Sequence, residues 1–175
     1  MDSYTDPVFS IPPISGYTDA LNQVGLPYNF WNVASVGHSP TYNDLKPFGV
    51  VIWRAPELFG VLSSPERAAI TNYLNGGGSF LLASMEALTR LDEAGGGNFR
   101  SNVLNVASYT EDVGVSSIIG TAHEPITSGI DLELDYSVYE TAFQGLVESD
   151  ISDTIVTATN ATPILLDSFP GKAVS

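Results

Sequence analysis

Short apolar runs alternate with helically spaced apolar residues through the first half of the chain. The runs at 49–53 (GVVIW) and 79–83 (SFLLA) are almost continuously apolar, a pattern typical of strands buried on both faces of a parallel sheet. Between them, residues 64–75 place apolar side chains on one helical face, after a Ser-Ser-Pro-Glu start and before a Gly triplet that ends the helix. This succession predicts a strand–helix–strand crossover between parallel strands.

The preceding segments extend this pattern. Residues 17–24 have helical spacing and stop at Gly25, whereas the aromatic and β-branched residues at 28–33 (YNFWNV) predict a strand. We expect the strands at 28–33, 49–53 and 79–83 to be parallel neighbours in one sheet.

The second half of the chain carries weaker signals. Residues 84–91 and 99–106 are predicted to be helical, and three β-branched stretches, 115–121, 132–135 and 155–166, predict antiparallel or edge strands. The fold class is therefore α/β: a three-layer arrangement with a mostly parallel central sheet flanked by helices, and a β-rich C-terminal third.

The chain is predicted to form one domain behind an extended N-terminal segment. Residues 1–15 are rich in Pro and Ser, and Pro12 and Pro13 are incompatible with a central strand; residues 16–175 form the α/β domain. Because an unpaired sheet edge recruits a further strand, we expect residues 1–15 or the C-terminal segment to pack in extended form against the sheet or against another copy of the chain.

Five segments carry a resemblance to a known family: "GYTDALNQVGLPYNFWNV", "LKPFGVVIW", "LSSPERAAITNYLNGGGSFLLAS", "PITSGIDLEL" and "ATPILLDS". They resemble class I glutamine amidotransferase-like domains, which are Rossmann-like or flavodoxin-like, in the non-catalytic form appended to large secreted bacterial and archaeal peptidases and surface proteins. The resemblance implies a non-enzymatic structural or interaction domain of an extracellular or cell-surface protein. Residues 1–15 do not look like the apolar central strand with which such domains usually open.

The amino-acid composition excludes several classes of binding partner and of catalytic or metal site. With twenty acidic and six basic residues the net charge is −14, which argues against nucleic acid and against an anionic membrane as partners. The longest apolar runs are far too short to span a bilayer, so membrane insertion is not expected. The absence of cysteine excludes a cysteine nucleophile and cysteine-based metal sites. No cofactor is expected.

A hydrolase is the first alternative. In active members of the superfamily that the chain resembles, a nucleophile follows the strand matching residues 79–83, and a later His and Glu complete the site. Here that position holds Ser84, which needs a histidine base within hydrogen-bond reach, so the candidates are His38 and His123, the latter followed by Glu124.

Other carboxylates offer weaker candidates. Glu86 and Glu57 follow strand ends and suit an acid/base pair, but a role at a helix start, where a carboxylate interacts with the helix dipole, is favoured for both. Three further carboxylates alternate along one stretch and offer oxygen ligands for Ca²⁺, although their spacing fits no EF-hand loop and a solvated strand face is favoured: Asp131, Glu133 and Asp135. No metal site is therefore predicted.

The second alternative is a self-assembling subunit of a surface layer or filament. The expected partner is thus a protein, either a neighbouring domain of a longer chain, a separate protein, or further copies of this chain.

Overall fold

The structure is a computed structural model and describes residues 1–3, 13–55, 61–84, 87–110, 117–120, 128–133, 154–158, 165–167 and 173–174. In chain order the helices within these ranges are α1 (Ser15–Gln23), α2 (Val33–Val36), α3 (Tyr42–Leu45), α4 (Ser64–Asn75), α5 (Ala87–Glu93) and α6 (Gly97–Asn102). The strands there are β1 (Val50–Arg54), β2 (Ser79–Ser84), β3 (Val106–Thr110), β4 (Ser117–Ile119), β5 (Asp131–Glu133), β6 (Thr154–Ala158), β7 (Leu165–Asp167) and β8 (Ala173–Val174).

The fold is mixed α/β, and three of the four strands in the largest sheet of the described residues are parallel. β1 and β2 pair along their whole length, from Val50 opposite Ser79 to Arg54 opposite Ala83. β7 joins β2 in parallel, and β8 returns antiparallel to β7. The predicted parallel pairing of 49–53 with 79–83, with a helix between them in the chain, is confirmed.

Residues 1–3 continue this sheet beyond β1. The Arg54 N–H donates to the Met1 carbonyl (3.0 Å), and the Ser3 N–H donates to the Arg54 carbonyl (2.9 Å). On its other side Asp2 forms a parallel bridge with Asn32. The expectation that the N-terminal segment packs in extended form against the sheet is therefore confirmed for residues 1–3, which lie between Asn32 and β1.

The predicted strand at 28–33 is wrong. Only Asn32 takes part in a bridge, and Val33 already begins α2, because the Asn32 side chain accepts a hydrogen bond from the Ser35 N–H (2.8 Å) and caps that helix. Pro27 has no N–H to donate to a ladder. Residues 26–31 consequently have no regular secondary structure.

The sequence signals around α4 are confirmed. Ser63 and Glu66 form a capping box at its start, and Gly76 ends it. Gly78 then has a packing role, since a Cβ at this position would lie 2.1 Å from the Cζ atom of Tyr73. The Tyr73 hydroxyl lies 3.1 Å from the carbonyl oxygens of both Phe48 and Ser79, which links the end of α4 to the starts of β1 and β2.

The hydrophobic core lies between these helices and the sheet. Its fully buried large side chains are Trp53, Leu62, Ile70, Leu88, Leu91, Val61 and Val106. The two central strands are less buried than predicted, because Ile52 and Leu81 are half-buried and Val50 is exposed at the amino end of β1.

The predicted helix at 99–106 is shorter than expected. α6 ends at Asn102, and Val106 begins β3. Arg100 holds the two elements together, since its Nη1 donates to the carbonyls of Val106 (2.7 Å) and Ala107 (3.0 Å) while its Nε donates to Asp92 (3.0 Å).

Candidate functional site

The carboxyl ends of the parallel strands place Asp2, Arg54 and Ser84 at one edge of the sheet, where open α/β sheets bind ligands. Asp2 and Arg54 form an ion pair there. Arg54 Nε donates to Asp2 Oδ1 (3.2 Å) and Nη2 to Oδ2 (3.0 Å), and the two side chains are only 7% and 5% exposed. Because both side chains are almost completely buried, the pair occupies this edge as a structural contact. The Tyr17 hydroxyl on α1 is close to the pair, and burial raises the pKa of this hydroxyl.

Ser84 is the last residue of β2 and is only 8% exposed. It is in register with Asp167 of β7, so it belongs to the sheet. In the described ranges, positive φ values outside glycine occur at Leu62 and Asn105 and not at Ser84. A serine nucleophile on a strand-to-helix elbow needs a sharp, strained turn that exposes its hydroxyl. The conformation of Ser84 is instead that of a strand residue.

His38 lies in the exposed loop after α2. Its ring packs edge-on against Trp31, with 5.4 Å between ring centroids and a 69° interplanar angle, and its Nδ1 lies 3.0 Å from the Ser39 carbonyl oxygen. The Trp31 indole N–H donates to the His38 carbonyl (3.1 Å). These contacts make His38 a support for Trp31, and none of them reaches Ser84.

Ser39 anchors the same loop to α4. Its hydroxyl donates to Glu66 Oε1 (2.5 Å), while Glu66 Oε2 accepts hydrogen bonds from the Ser63 N–H (2.6 Å) and the Ser63 hydroxyl (2.7 Å). Glu66 is buried, and both oxygens of its carboxylate accept hydrogen bonds in these contacts. It holds the loop in place, so His38 and Trp31 have a fixed position.

The remaining candidates divide into two groups. Asp131 and Glu133 lie on β5, opposite Ile119 and Ser117 of β4, and both are exposed. In the part of the chain that the structure describes, no three His, Asp or Glu side chains are grouped to hold a metal ion. Five candidates lie outside the described residues: His123, Glu124, Glu86, Glu57 and Asp135.

Two surface pockets are lined by described residues. One, of about 350 Å³, lies at the amino ends of β1 and β2, and its charged group is Lys46, whose Nζ donates to Asn43 Oδ1 (2.9 Å). The other, of about 310 Å³, lies beside α4, where Arg67 donates to the Leu62 carbonyl and the Ser64 hydroxyl. Neither lining set brings a nucleophile together with a base.

The structure also contains a group of exposed apolar side chains that the sequence did not predict. Four apolar side chains before the Asn32 bridge are exposed: Val24 (68%), Leu26 (56%), Tyr28 (41%) and Phe30 (50%). We call these four residues the edge strip. The backbone of residues 28–30 makes no hydrogen bond to any other described residue. Exposed apolar side chains on an unpaired backbone segment mark a surface that another chain can cover.

The exposure of Tyr28 and Phe30 differs from what the predicted strand at 28–33 implies, since aromatic side chains on strands are usually at least half-buried. One signal pointed the other way. Residues 20–43 contain no Asp, Glu, Lys or Arg in a chain that is otherwise strongly acidic. A charge-free stretch of this length, interrupted by Pro27 and Gly25, is compatible with an exposed apolar segment.

Comparisons of the chain with protein-family models, with curated proteins and with solved structures found no match. Within the described ranges, no helix has the length and apolar character needed to cross a membrane.

Proposed function

We propose that this chain is a non-catalytic interaction domain of an extracellular protein and that the edge strip is its docking surface. The observation that carries the proposal is the exposure of four alternate apolar positions, 24, 26, 28 and 30, in a segment whose backbone at 28–30 makes no hydrogen bond to another described residue. Soluble domains seldom leave such a contiguous patch uncovered unless it meets a partner.

The arrangement of the parallel strands supports an amidotransferase-like, doubly wound architecture. From the edge inward the order is Asn32, Asp2, β1, β2 and β7. If the two isolated bridges are counted as strand positions, this order matches the 2-1-3-4-5 order of flavodoxin-like sheets, in which residues 1–3 would take the place of the opening central strand. The proposed architecture includes the three layers and the β-rich C-terminal third expected from the sequence.

The state of Ser84 supports the non-catalytic part of the proposal. A serine in strand conformation, 8% exposed as a residue and in register with a neighbouring strand, differs from the exposed serine on a strained turn that serves as a nucleophile in acyl transfer. His38, one of the two candidate bases, is engaged with Trp31 and Ser39. A hydrolase built on Ser84 and His123 is the alternative that the first experiment addresses.

The first experiment measures ester, amide and glutamine hydrolysis by the purified chain. We expect no turnover above the buffer rate, and any trace rate should be the same in Ser84→Ala, in His123→Ala and in the control Ser79→Ala, whose exposed serine begins β2. Turnover that is lost in Ser84→Ala at an unchanged melting temperature, but kept in Ser79→Ala, would establish the hydrolase and overturn the proposal.

The second experiment tests the docking surface itself. Because the chain contains no cysteine, Phe30→Cys introduces a single thiol at the edge strip, and Ala68→Cys places one on the exposed face of α4. In dilute protein both thiols should react with a disulfide reagent at similar rates. A Phe30→Cys thiol that is strongly protected in the dilute chain would show that the strip is covered by the chain itself, and the proposal would fail.

A further inference from the structure

We propose that the partner of the edge strip is the edge strip of a second copy of this chain. This inference rests on the proposed function and names its partner. The strip would pack against its counterpart about a two-fold axis, so that the same residues face each other from both copies.

Charge is the first argument for a second copy. Each copy carries a net charge of −14, and all of its Asp, Glu, Lys and Arg side chains lie outside residues 20–43. Two copies that meet through charged surface would bring carboxylates together, which costs free energy. Residues 20–43, which contain the edge strip, are the longest stretch of the sequence without a carboxylate, so a contact made by this stretch itself opposes no carboxylates.

The second argument is that the strip is self-complementary. In an antiparallel two-fold pairing centred on Tyr28, Leu26 of one copy faces Phe30 of the other, and the two Tyr28 side chains meet. In such a pairing alternate residues direct their backbone groups at the second copy, so the N–H and C=O groups of Tyr28 and Phe30, which have no partner among the described residues, would find one there. The contact therefore satisfies apolar side chains and backbone together.

The third argument is that hydrogen bonds to the rest of the chain hold both ends of the edge strip in place. The residue after Phe30, Trp31, accepts a hydrogen bond at its carbonyl from the Asp2 N–H (2.8 Å), and its indole N–H donates to the His38 carbonyl. The Val33 N–H donates to the Asp2 carbonyl (3.0 Å). At the other end, the Leu26 N–H donates to the Leu21 carbonyl of α1 (3.0 Å). Segments held at both ends lose less conformational entropy on binding.

A basic protein is the main competing occupant, because a net charge of −14 attracts cations. Such a partner would bind through the carboxylates, and these lie outside residues 20–43 and therefore outside the edge strip. The two occupants also respond oppositely to salt. Screening removes the repulsion between two acidic copies and strengthens their association, whereas it weakens the attraction of a basic partner.

The test is sedimentation equilibrium of the full chain over a range of protein concentrations. The salt concentration is raised from about 0.01 M to about 1 M NaCl, over which the Debye length falls from roughly 30 Å to roughly 3 Å. We expect a monomer–dimer equilibrium whose association constant rises with salt. A chain that stays monomeric at the highest concentration and salt would overturn the inference while leaving the non-catalytic docking proposal to its own tests.

Two variants localise the contact. Phe30→Asp should weaken the dimer at least about tenfold, since it places a carboxylate in each half of the interface. Ala68→Asp adds the same charge to the exposed face of α4 and should leave the dimer close to the unmodified one. Equal weakening by both variants, or none by Phe30→Asp, would show that the interface lies elsewhere.

A cross-linking measurement tests the same contact independently, in case Phe30→Asp fails to fold. Tyr28→Cys places one thiol on the proposed two-fold axis, in a chain that has no other cysteine. Under mild oxidation it should form a disulfide-linked dimer many times faster than Ala68→Cys. Equal rates for the two variants would contradict the proposed contact.

Discussion

Asp2 and Arg54 are 52 positions apart in the chain, yet they form a two-point ion pair that is almost completely buried. The pair fastens residues 1–3 to the carboxyl end of β1. Removing one member leaves a buried charge behind, so we expect Asp2→Ala and Arg54→Met each to lower the free energy of unfolding by about 3 kcal/mol.

The double variant should cost clearly less than the sum of the two single changes, because the residues act as a unit. Urea denaturation measures all three. Glu93→Ala is the control, since its partner Arg90 holds it in a partly exposed pair and the loss should stay below about 1 kcal/mol. Strictly additive effects at Asp2 and Arg54 would show that the pair contributes no coupling.

The Met1 ammonium makes the stability depend on pH. It donates to the Ile52 carbonyl (2.9 Å), and burial lowers its pKa below the usual 8.0, with Arg54 acting in the same direction and Asp2 opposing it. Between the lowered pKa and 8.0 the unfolded chain binds more protons than the folded chain. The free energy of unfolding should therefore rise with pH through this window and level off above 8.0.

The measurement is a set of urea denaturation curves across this window for the chain with a free amino terminus and for the Nα-acetylated chain. Acetylation removes this titration and leaves every other group in place. We expect the difference between the two chains to shrink or change sign as the pH rises. A difference that is constant over the window contradicts the predicted burial of the ammonium group.

Gly78 is predicted to be intolerant of any side chain. A Cβ there would lie 2.1 Å from Cζ of Tyr73, whose side chain is buried and whose hydroxyl lies 3.1 Å from carbonyl oxygens at the starts of β1 and β2. Gly78→Ala should lower the free energy of unfolding by about 2 kcal/mol, as over-packing does in well-packed cores. Gly49→Ala is the matched control, because no atom lies within 4 Å of its added Cβ. Similar losses in both variants would refute the steric explanation.

Glu66 should stabilise both the start of α4 and the loop that supports Trp31. Glu66→Ala removes the acceptor of three hydrogen bonds and should cost about 2 kcal/mol, whereas Ser39→Ala removes one of them and should cost about 1 kcal/mol. Ser35→Ala, an exposed serine of α2, serves as the control with a change near zero. Thermal or urea unfolding measures the series, and a Ser39→Ala cost equal to that of Ser35→Ala would exclude the loop anchor.

The sequence predicted those parts of the fold whose causes are local. The capping box of Ser63 and Glu66 defines the start of α4, and continuous apolar runs define β1 and β2. The predicted strand at 28–33 was wrong because strand formation depends on a neighbour, and within the described residues only Asn32 of this stretch pairs with one, Asp2.

In the candidate site, too, the sequence predicted local features but not those that depend on distant residues. The sequence placed Ser84 just after the strand at 79–83, at the start of a helix, whereas it is the last residue of β2, and its burial depends on packing that residue spacing does not report. The place of residues 1–3 in the sheet was hidden by the polar side chain of Asp2, since its neutralising partner Arg54 comes 52 positions later. The edge strip was missed because apolar residues predict burial regardless of whether the chain itself supplies the cover.

Amide hydrogen exchange at the edge strip tests the central claim most directly. In dilute protein the amides of Tyr28, Asn29 and Phe30 should exchange nearly as fast as in an unfolded peptide, while those of Val51 and Trp53 in β1 stay protected. At high protein and salt concentration those of Tyr28 and Phe30 should become protected without a change at Val51 and Trp53. Protection at residues 28–30 that is the same at every concentration would contradict a docking surface open in the single chain and covered by a second copy.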